Sequence, residues 1–376
     1  IYKGVAYTSS SKQKRLVIDI GGASTELVAG EGDTPQICNS LNVGCVTFLD
    51  KYFPNGELSE QNFTNAIGAA ELEIGKIRDL YKDFEWKEEV GASGTVQAIQ
   101  EILMHQGHDE IITLPRLISI MQQAITYGSI NRLNIPGLVQ ERRLVFPSGL
   151  AILIAIFRQL NLVGMTLAGG ALREGLLYSM LPDLTKQNVR ERTLNSVMTR
   201  YHVDAEHAKR VAELTINLAN QVNSKWDMEQ FDALDILRSA ALVHEVGLQV
   251  AYKDQQIHAS YLLANTNLPG FTEAQKNLLT ALVRNHKEDI DQHSLSKQSS
   301  TSVLLACRLS RILRLAVILS LRRKDEVMPK VIVTVENEVL KLTLPDNWIG
   351  NNPLTEAELA QEASYQSAQG WQLVIE

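Results

Sequence analysis

Cysteine is scarce in this 376-residue chain, and the three present, Cys38, Cys45 and Cys307, form an odd set with no C-x-x-C spacing. A disulfide framework is thereby excluded, and a reducing compartment fits better. Long apolar runs are missing too. The longest, Leu150–Phe157, falls far short of the ~18 residues that suggest a membrane span and reads as a buried helix. A surplus of positive charge is absent: 36 Lys and Arg stand against 43 Asp and Glu, for a formal net charge of -7. A dedicated nucleic-acid binder needs a basic surface, so any anionic ligand must meet locally clustered Lys, Arg and backbone N–H groups. There is no initiator Met before Ile1-Tyr2-Lys3-Gly4 and no basic-then-apolar signal pattern, so the sequence reads as starting inside a domain. No repeat at a solenoid period and no long low-complexity tract interrupts it. What is present, 45% hydrophobic and 21% charged residues, suits a globular protein of two or three domains. The expected setting is cytoplasmic, with neither membrane nor nucleic acid as partner.

Patterning divides the chain. Residues 15–29 place β-branched and apolar runs on both sides of Gly21-Gly22, a hairpin signal. An amphipathic stretch from about Glu60 to Tyr81, a short strand ending at Gly91-Ala92-Ser93-Gly94-Thr95, a helix from about Val96, a strand over 162–167 and a helix over Leu172–Met180 follow. Mixed order of this kind predicts an α/β layer domain over 1–182. From 183 to 321 nearly every segment shows apolar residues at helical spacing, as in Ala208-Val211-Leu214-Leu218, predicting an all-helical domain. Beyond it, Val331-Val333-Val335, a turn at Glu336-Asn337-Glu338, then Val339-Leu340-Leu342-Leu344 predict a second hairpin, with a last strand over 371–375. These make a small α/β domain, 322–376.

Asp19 ends the first strand beside Gly21, Gly22, Ala23, Ser24 and Thr25. Glycine permits close approach of backbone N–H groups to phosphate oxygens, and the aspartate is placed to hold a hydrated divalent cation. Glu26 is a candidate second metal-shell or water-orienting carboxylate, the alternative being a solvated strand residue. Ser93, Gly94 and Thr95 precede a helix whose first N–H groups suit another phosphate, although Ser93 or Thr95 could equally be a plain N-cap. Gly169 and Gly170 allow a third close backbone approach, with Arg173 and Glu174 either at the ligand or merely pairing on the next helix. Arg142 and Arg143 are candidate clamps, because guanidinium offers a planar donor fork.

The string Asp19-Ile20-Gly21-Gly22-Ala23-Ser24-Thr25-Glu26 resembles the second phosphate loop of the actin-like (RNase H-like) superfamily of acetate kinases, sugar kinases, Hsp70 and actin. Its form is similar to that of the exopolyphosphatase and guanosine pentaphosphate phosphohydrolase family. Asn42-Val43-Gly44-Cys45-Val46-Thr47, Val90-Gly91-Ala92-Ser93-Gly94-Thr95-Val96-Gln97, Phe146-Pro147-Ser148-Gly149-Leu150-Ala151-Ile152 and Leu167-Ala168-Gly169-Gly170-Ala171-Leu172-Arg173-Glu174-Gly175 extend the likeness along nearly the whole chain. Ala23, Thr95-Val96-Gln97 and Ala168-Gly169-Gly170 look more similar to the guanosine pentaphosphate branch. The resemblance implies a Mg2+-dependent phosphoanhydride hydrolase acting on guanosine pentaphosphate or on polyphosphate, and a homodimer. Asp19 would then be the metal ligand, and Asp19 with Glu26 the catalytic carboxylates. It also implies a first phosphate loop and a water-activating glutamate, which no segment of this chain matches, so that this chain alone is expected to hydrolyse poorly. A non-catalytic phosphate-chain binding module is the alternative from another class.

In the helical region His207, His244-Glu245, His258 and His286 resemble a degenerate HD-type metal phosphohydrolase domain. Glu245 stands where such domains carry an aspartate and no final aspartate ligand is evident, so a scaffold with satisfied histidines is expected rather than a working metal centre. Arg308, Arg311 and Arg314 recur every third residue, giving an exposed charged face or, alternatively, a groove for a polyanion.

Overall fold

In the computed structural model, which describes residues 1–9, 11–180, 188–228, 230–324, 330–345 and 348–376, the chain opens with α1 (Tyr2–Thr8) and enters a sheet at β1 (Lys14–Ile20). β1 is apolar on both faces because both are covered. Leu16, Ile18 and Ile20 join the main core, while Val17 packs with Tyr2 and Val5 of α1. The Gly-Gly segment turns the chain into β2 (Thr25–Glu31), antiparallel to β1, and β3 (Thr34–Leu41) pairs antiparallel beyond it. The hairpin expected at 15–29 is therefore present.

Helices α2 (Cys45–Tyr52), α3 (Glu60–Gly75) and α4 (Arg78–Tyr81) lead to β4 (Glu88–Gly91). Next come α5 (Gly94–His105), α6 (Leu114–Tyr127), α7 (Phe146–Leu160), the short strand β5 (Met165–Leu167) and α8 (Leu172–Ser179). The strands lie in the order β3-β2-β1-β4-β5, with β1, β4 and β5 parallel. α7 contains the apolar run Leu150–Phe157 and buries every residue from Phe146 to Phe157. Pro147 in its first turn needs no intrahelical partner, and Asn161 in the left-handed region ends it.

The second half is helical: α9 (Val189–Arg200), α10 (Ala205–Trp226), α11 (Ala233–Val243), α12 (Gln255–Ala264), α13 (Glu273–Arg284), α14 (Gln292–Ser296) and α15 (Val303–Leu319). β6 (Ile332–Glu336) and β7 (Val339–Thr343) form the expected hairpin, and after α16 (Pro353–Ala368) the strand β8 (Gln372–Ile375) pairs parallel with β7. Two compact units result, 1–189 with 269–272, and 190–268 with 273–376. The strands and helix expected as a separate domain over 322–376 group by compactness with the helices, and the boundary expected at 182 lies at Val189.

Arg308, Arg311 and Arg314 show why, and they correct a sequence expectation. Arg311 and Arg314 are buried, at 1% and 0% exposure, neither on an exposed face nor in a groove. The Arg311 guanidinium lies over Trp226 and Trp371 with centroids at 5.2 and 5.8 Å, and donates to Glu338 O and Gln372 O at 2.9 and 2.8 Å. Arg314 pairs with Glu362 at 2.7 Å, and Arg308 pairs with Glu338. The spacing does place the three on one helix face, but Glu338 of the β6–β7 turn, α16 and β8 cover that face. Among the described residues no helix is long and apolar enough to cross a membrane.

Candidate active site

All three loops singled out for phosphate belong to the first unit and leave the same edge of its sheet. β1, β4 and β5 run parallel and adjacent, with Ile18 level with Gly91 and Gly91 level with Leu167. Residues 21–24, 92–94 and 168–171 follow their carboxyl ends, where open α/β sheets take ligands. The bond from Ala92 N–H to Ile18 O at 2.8 Å, and that from Ala168 N–H to Gly91 O at 2.8 Å, keep the loops at one level.

The first loop is held from below. Gly21 N–H donates to Ser24 O at 2.8 Å and closes the turn, while Gly21 O and Gly22 O each accept from the start of α2, from Cys45 N–H and Val46 N–H at 2.9 Å. In a trans peptide the N–H points opposite to the carbonyl, and the chain contains no cis bond among its described residues. The N–H groups of Gly22 and Ala23 consequently face away from α2, and both residues are exposed. Gly44 makes this close approach possible, since a β-carbon there would stand 2.3 Å from Gly22 O. Gly44 belongs to a string recognised in the sequence, but the role of the glycine emerges only from the packing.

Asp19 and Glu26 face each other across β1 and β2. Burial, and then the charge of Glu26, hold the Asp19 carboxyl above the usual range. Glu26 Oε1 accepts from Ser24 Oγ at 2.7 Å and Ser40 Oγ at 2.9 Å. Ser40 was not foreseen; it lies opposite Glu26 in the β2–β3 register, a pairing that spacing along the chain does not reveal.

Three side chains assigned to phosphate turn inward instead. The Thr25 hydroxyl is buried and donates to Val43 O. Ser93 is buried and caps α5 by accepting from Val96 N–H at 3.4 Å. Thr95 is buried against Gly149. What Ser93 and Thr95 can offer an anion is the backbone N–H of the α5 start, not hydroxyl. Arg142 is exposed, and its guanidinium lies across Gly94, where a β-carbon would meet it at 2.3 Å. Its charge also reaches Cys45 at the start of α2. Arg143 bonds Asn134 Oδ1 at 2.7 Å instead.

Gly169 and Gly170 require a correction of reason. A β-carbon on Gly170 would stand 2.6 Å from Thr8 Cγ2, so the close approach of α1 explains that glycine, and one on Gly169 would make ordinary contact with Thr8. Arg173 is exposed on α8. Glu174 Oε2 accepts from Ala171 N–H at 2.8 Å, the main cause holding its carboxyl below the usual range.

In the second unit His207, His244 and Glu245 converge while His258 is outside the group. Burial holds the imidazoles of His207, His244 and His286 below the ordinary pKa, His207 at about 4, so all three are neutral near pH 7. The expectation of fully satisfied histidines is not met: His207 Nδ1 and His286 Nε2 are buried without a hydrogen-bond partner.

Three backbone loops, an arginine and paired carboxylates thus gather at the carboxyl ends of β1, β4 and β5 in an α/β domain, an arrangement suited to a phosphate chain. The Ppx/GppA phosphatase family model matches residues 1–184, and the model for domain III of Ppx/GppA phosphatases matches residues 189–363. A guanosine-5'-triphosphate,3'-diphosphate pyrophosphatase of Pseudoalteromonas translucida is 47% identical over 375 residues, 100% of this chain and 75% of that protein. Its namesake in Aeromonas hydrophila is 47% identical over 371 residues, 99% of this chain and 75% of that protein. The Aquifex aeolicus Ppx/GppA enzyme structure aligns at 21% identity and TM-score 0.41, over 47% of this chain and 60% of its own. An exopolyphosphatase of Cytophaga hutchinsonii aligns at 19% and 0.43, over 49% and 62%. This chain belongs to the Ppx/GppA phosphatase family.

Proposed function

We propose that the protein hydrolyses a phosphoanhydride, removing the 5′ γ-phosphate of guanosine pentaphosphate to leave the tetraphosphate. The observation that carries the chemistry is the convergence of the loops after β1, β4 and β5 on one edge. The strand order β3-β2-β1-β4-β5 with β1 at its centre supports the actin-like reading of that domain. The choice of nucleotide rests on the relatives at 47% identity. A phosphate chain carries several charges, so the protein's task is to gather N–H dipoles and cations before the anhydride breaks. Gly22 and Ala23 N–H would hold the terminal phosphate, and the first-turn N–H groups of α5 with Arg142 the next.

Mg2+ fits the donor set: Asp19 and Glu26 are hard oxygen ligands facing each other, and burial, then the charge of Glu26, raise the Asp19 pKa, a strain that a cation between them would relieve. Asp19 would hold the ion directly, with Glu26 in its outer shell or orienting water. Bound there, Mg2+ would neutralise charge on the phosphate chain. Ser24 and Ser40 position Glu26. No glutamate of this chain matches the water-activating one implied by the family, and the chain spans 75% of the relatives' length, so turnover is to be measured on the full-length protein. A cytoplasmic homodimer and an HD-like character of the helical unit belong to the same proposal. Exopolyphosphatase activity is the second reading, favoured because the loops, Arg142 and the carboxylates would all address phosphate and none of them a base.

The test is Asp19→Asn in the full-length protein. Loss of a single charge-stabilising group in such sites costs about 100-fold in kcat, and the Mg2+ dependence should flatten. Wild-type turnover with unchanged Mg2+ dependence would refute the assignment.

A further inference from the structure

The second unit brings His207, from the first turn of α10, next to His244 and Glu245 at the end of α11. One ligand atom from each lies within 4.8 Å of the others, and all three side chains are buried. His207 Nε2 is 3.9 Å from Glu245 Oε1. Among the described residues no other group of three His, Cys, Asp or Glu is so arranged. A tetrahedral ion with bonds of about 2.0–2.1 Å keeps its ligands about 3.3 Å apart, so modest side-chain rotation suffices to close the trio.

Tautomers are prepared for an ion. His244 Nδ1 lies 2.7 Å from Ala241 O; a carbonyl accepts only, so Nδ1 carries the proton and Nε2 keeps its lone pair. A metal-binding imidazole is oriented in this way, through its other nitrogen. His286 repeats the arrangement with Val283 O at 2.7 Å, packs edge-on to His244 with centroids 5.2 Å apart, and leaves a fully buried Nε2 without a partner. His207 Nδ1 is also buried and unpartnered. A packed core normally satisfies its polar atoms, and each one left bare costs on the order of 1–3 kcal/mol; two in one cluster, His207 Nδ1 and His286 Nε2, point to something that binds there.

We propose that His207, His244 and Glu245 form a site for one divalent transition-metal ion of the zinc or cobalt type, with His286 as a neighbouring donor. Two imidazoles and a carboxylate select such ions over Mg2+, which prefers oxygen. The site is thus chemically separate from the Asp19–Glu26 pair in the first unit. It also replaces the sequence-based expectation of a metal-free scaffold, which rested on Glu245 in place of an aspartate and could not see the bare nitrogens. Arg323 hydrogen-bonds Glu245 Oε1 and, at 3.2 Å, Asp204 Oδ2. It competes with the ion for Glu245, and Asp204 retains it when the ion takes that carboxylate.

Full-length protein stripped by chelator is titrated with Co(II). One equivalent per chain is expected, with visible d–d absorption, displacement by Zn(II), and indifference to a thousandfold excess of Mg(II). His207→Gln and His244→Gln should each weaken Co(II) at least tenfold, Arg323→Gln should tighten it, and Asp19→Asn should leave the stoichiometry unchanged. Circular dichroism checks that each variant folds, and the wild type decides independently of them. Failure of the wild type to take up Co(II), or uptake that survives both histidine substitutions or is lost with Asp19→Asn, would overturn the proposal.

Discussion

At Gly94 a β-carbon would stand 2.3 Å from the Arg142 guanidinium, so the bare backbone lets the arginine lie across the first turn of α5. The atom it would strike is the far end of a flexible side chain, and Gly94→Ala should therefore displace the arginine rather than the helix. Alanine is the better helix former by up to about 1 kcal/mol, so Tm should hold or rise while KM for the phosphate substrate rises about three- to tenfold, one lost charge-assisted contact. Unchanged KM would show that Arg142 does not reach the substrate. At this scale the sequence was informative where chemistry is local. Asp19 and the Gly21–Ser24 turn are contiguous, and both are where the motif puts them. Thr25 was misjudged because its partner, Val43, is 18 positions away, and a hydroxyl in a phosphate-type string looks the same whether it faces ligand or core.

Among the elements, hairpins and long apolar helices were legible because a turn or a period marks them: β1–β2, β6–β7 and α7 all lie where patterning put them. What covers a helix is not written in its own period. The arginines of α15 read as solvated, yet Arg314 and Glu362 are 0% and 2% exposed and hydrogen-bonded through 2.7 Å contacts. Arg314→Met leaves the Glu362 carboxylate buried and unpaired, which should cost about 3–5 kcal/mol by urea unfolding; pairing it with Glu362→Leu should recover much of that loss. A single-variant cost under about 1 kcal/mol would mean that the pair is solvated in solution.

The imidazole cluster supplies a pH dependence at the same scale. Burial above all holds His207 at about 4, below its ordinary 6.5. Because the folded pKa is the lower one, the unfolded chain takes up the proton first. Stability in chelator is then full above pH ~6.5 and falls as the pH drops toward ~4, by about 3 kcal/mol from this group. Urea midpoints at pH 7.5, 6 and 5 check the slope; a flat profile would place His207 in water.

For the whole molecule, composition and the switch from mixed to helical patterning near residue 182 anticipated two architectures, and the structural division falls after Val189. The separate C-terminal domain was not recoverable as part of the second unit, because the bonds that join it there run between positions such as Arg314 and Glu362, 48 residues apart. Substrate choice is equally a whole-molecule property: on the proposed reading guanosine pentaphosphate and polyphosphate would share the loop contacts after β1, β4 and β5 and differ beyond them, so only a ratio of kcat/KM values separates them. The branch-like Ala168-Gly169-Gly170 does not settle that ratio, since Gly170 packs against Thr8. The most direct test is therefore phosphate release by the full-length protein with Mg2+, from guanosine pentaphosphate and from long-chain polyphosphate under identical conditions. The account predicts at least a tenfold higher kcat/KM for guanosine pentaphosphate, about 1.4 kcal/mol of transition-state binding, whereas a tenfold preference for polyphosphate would contradict it.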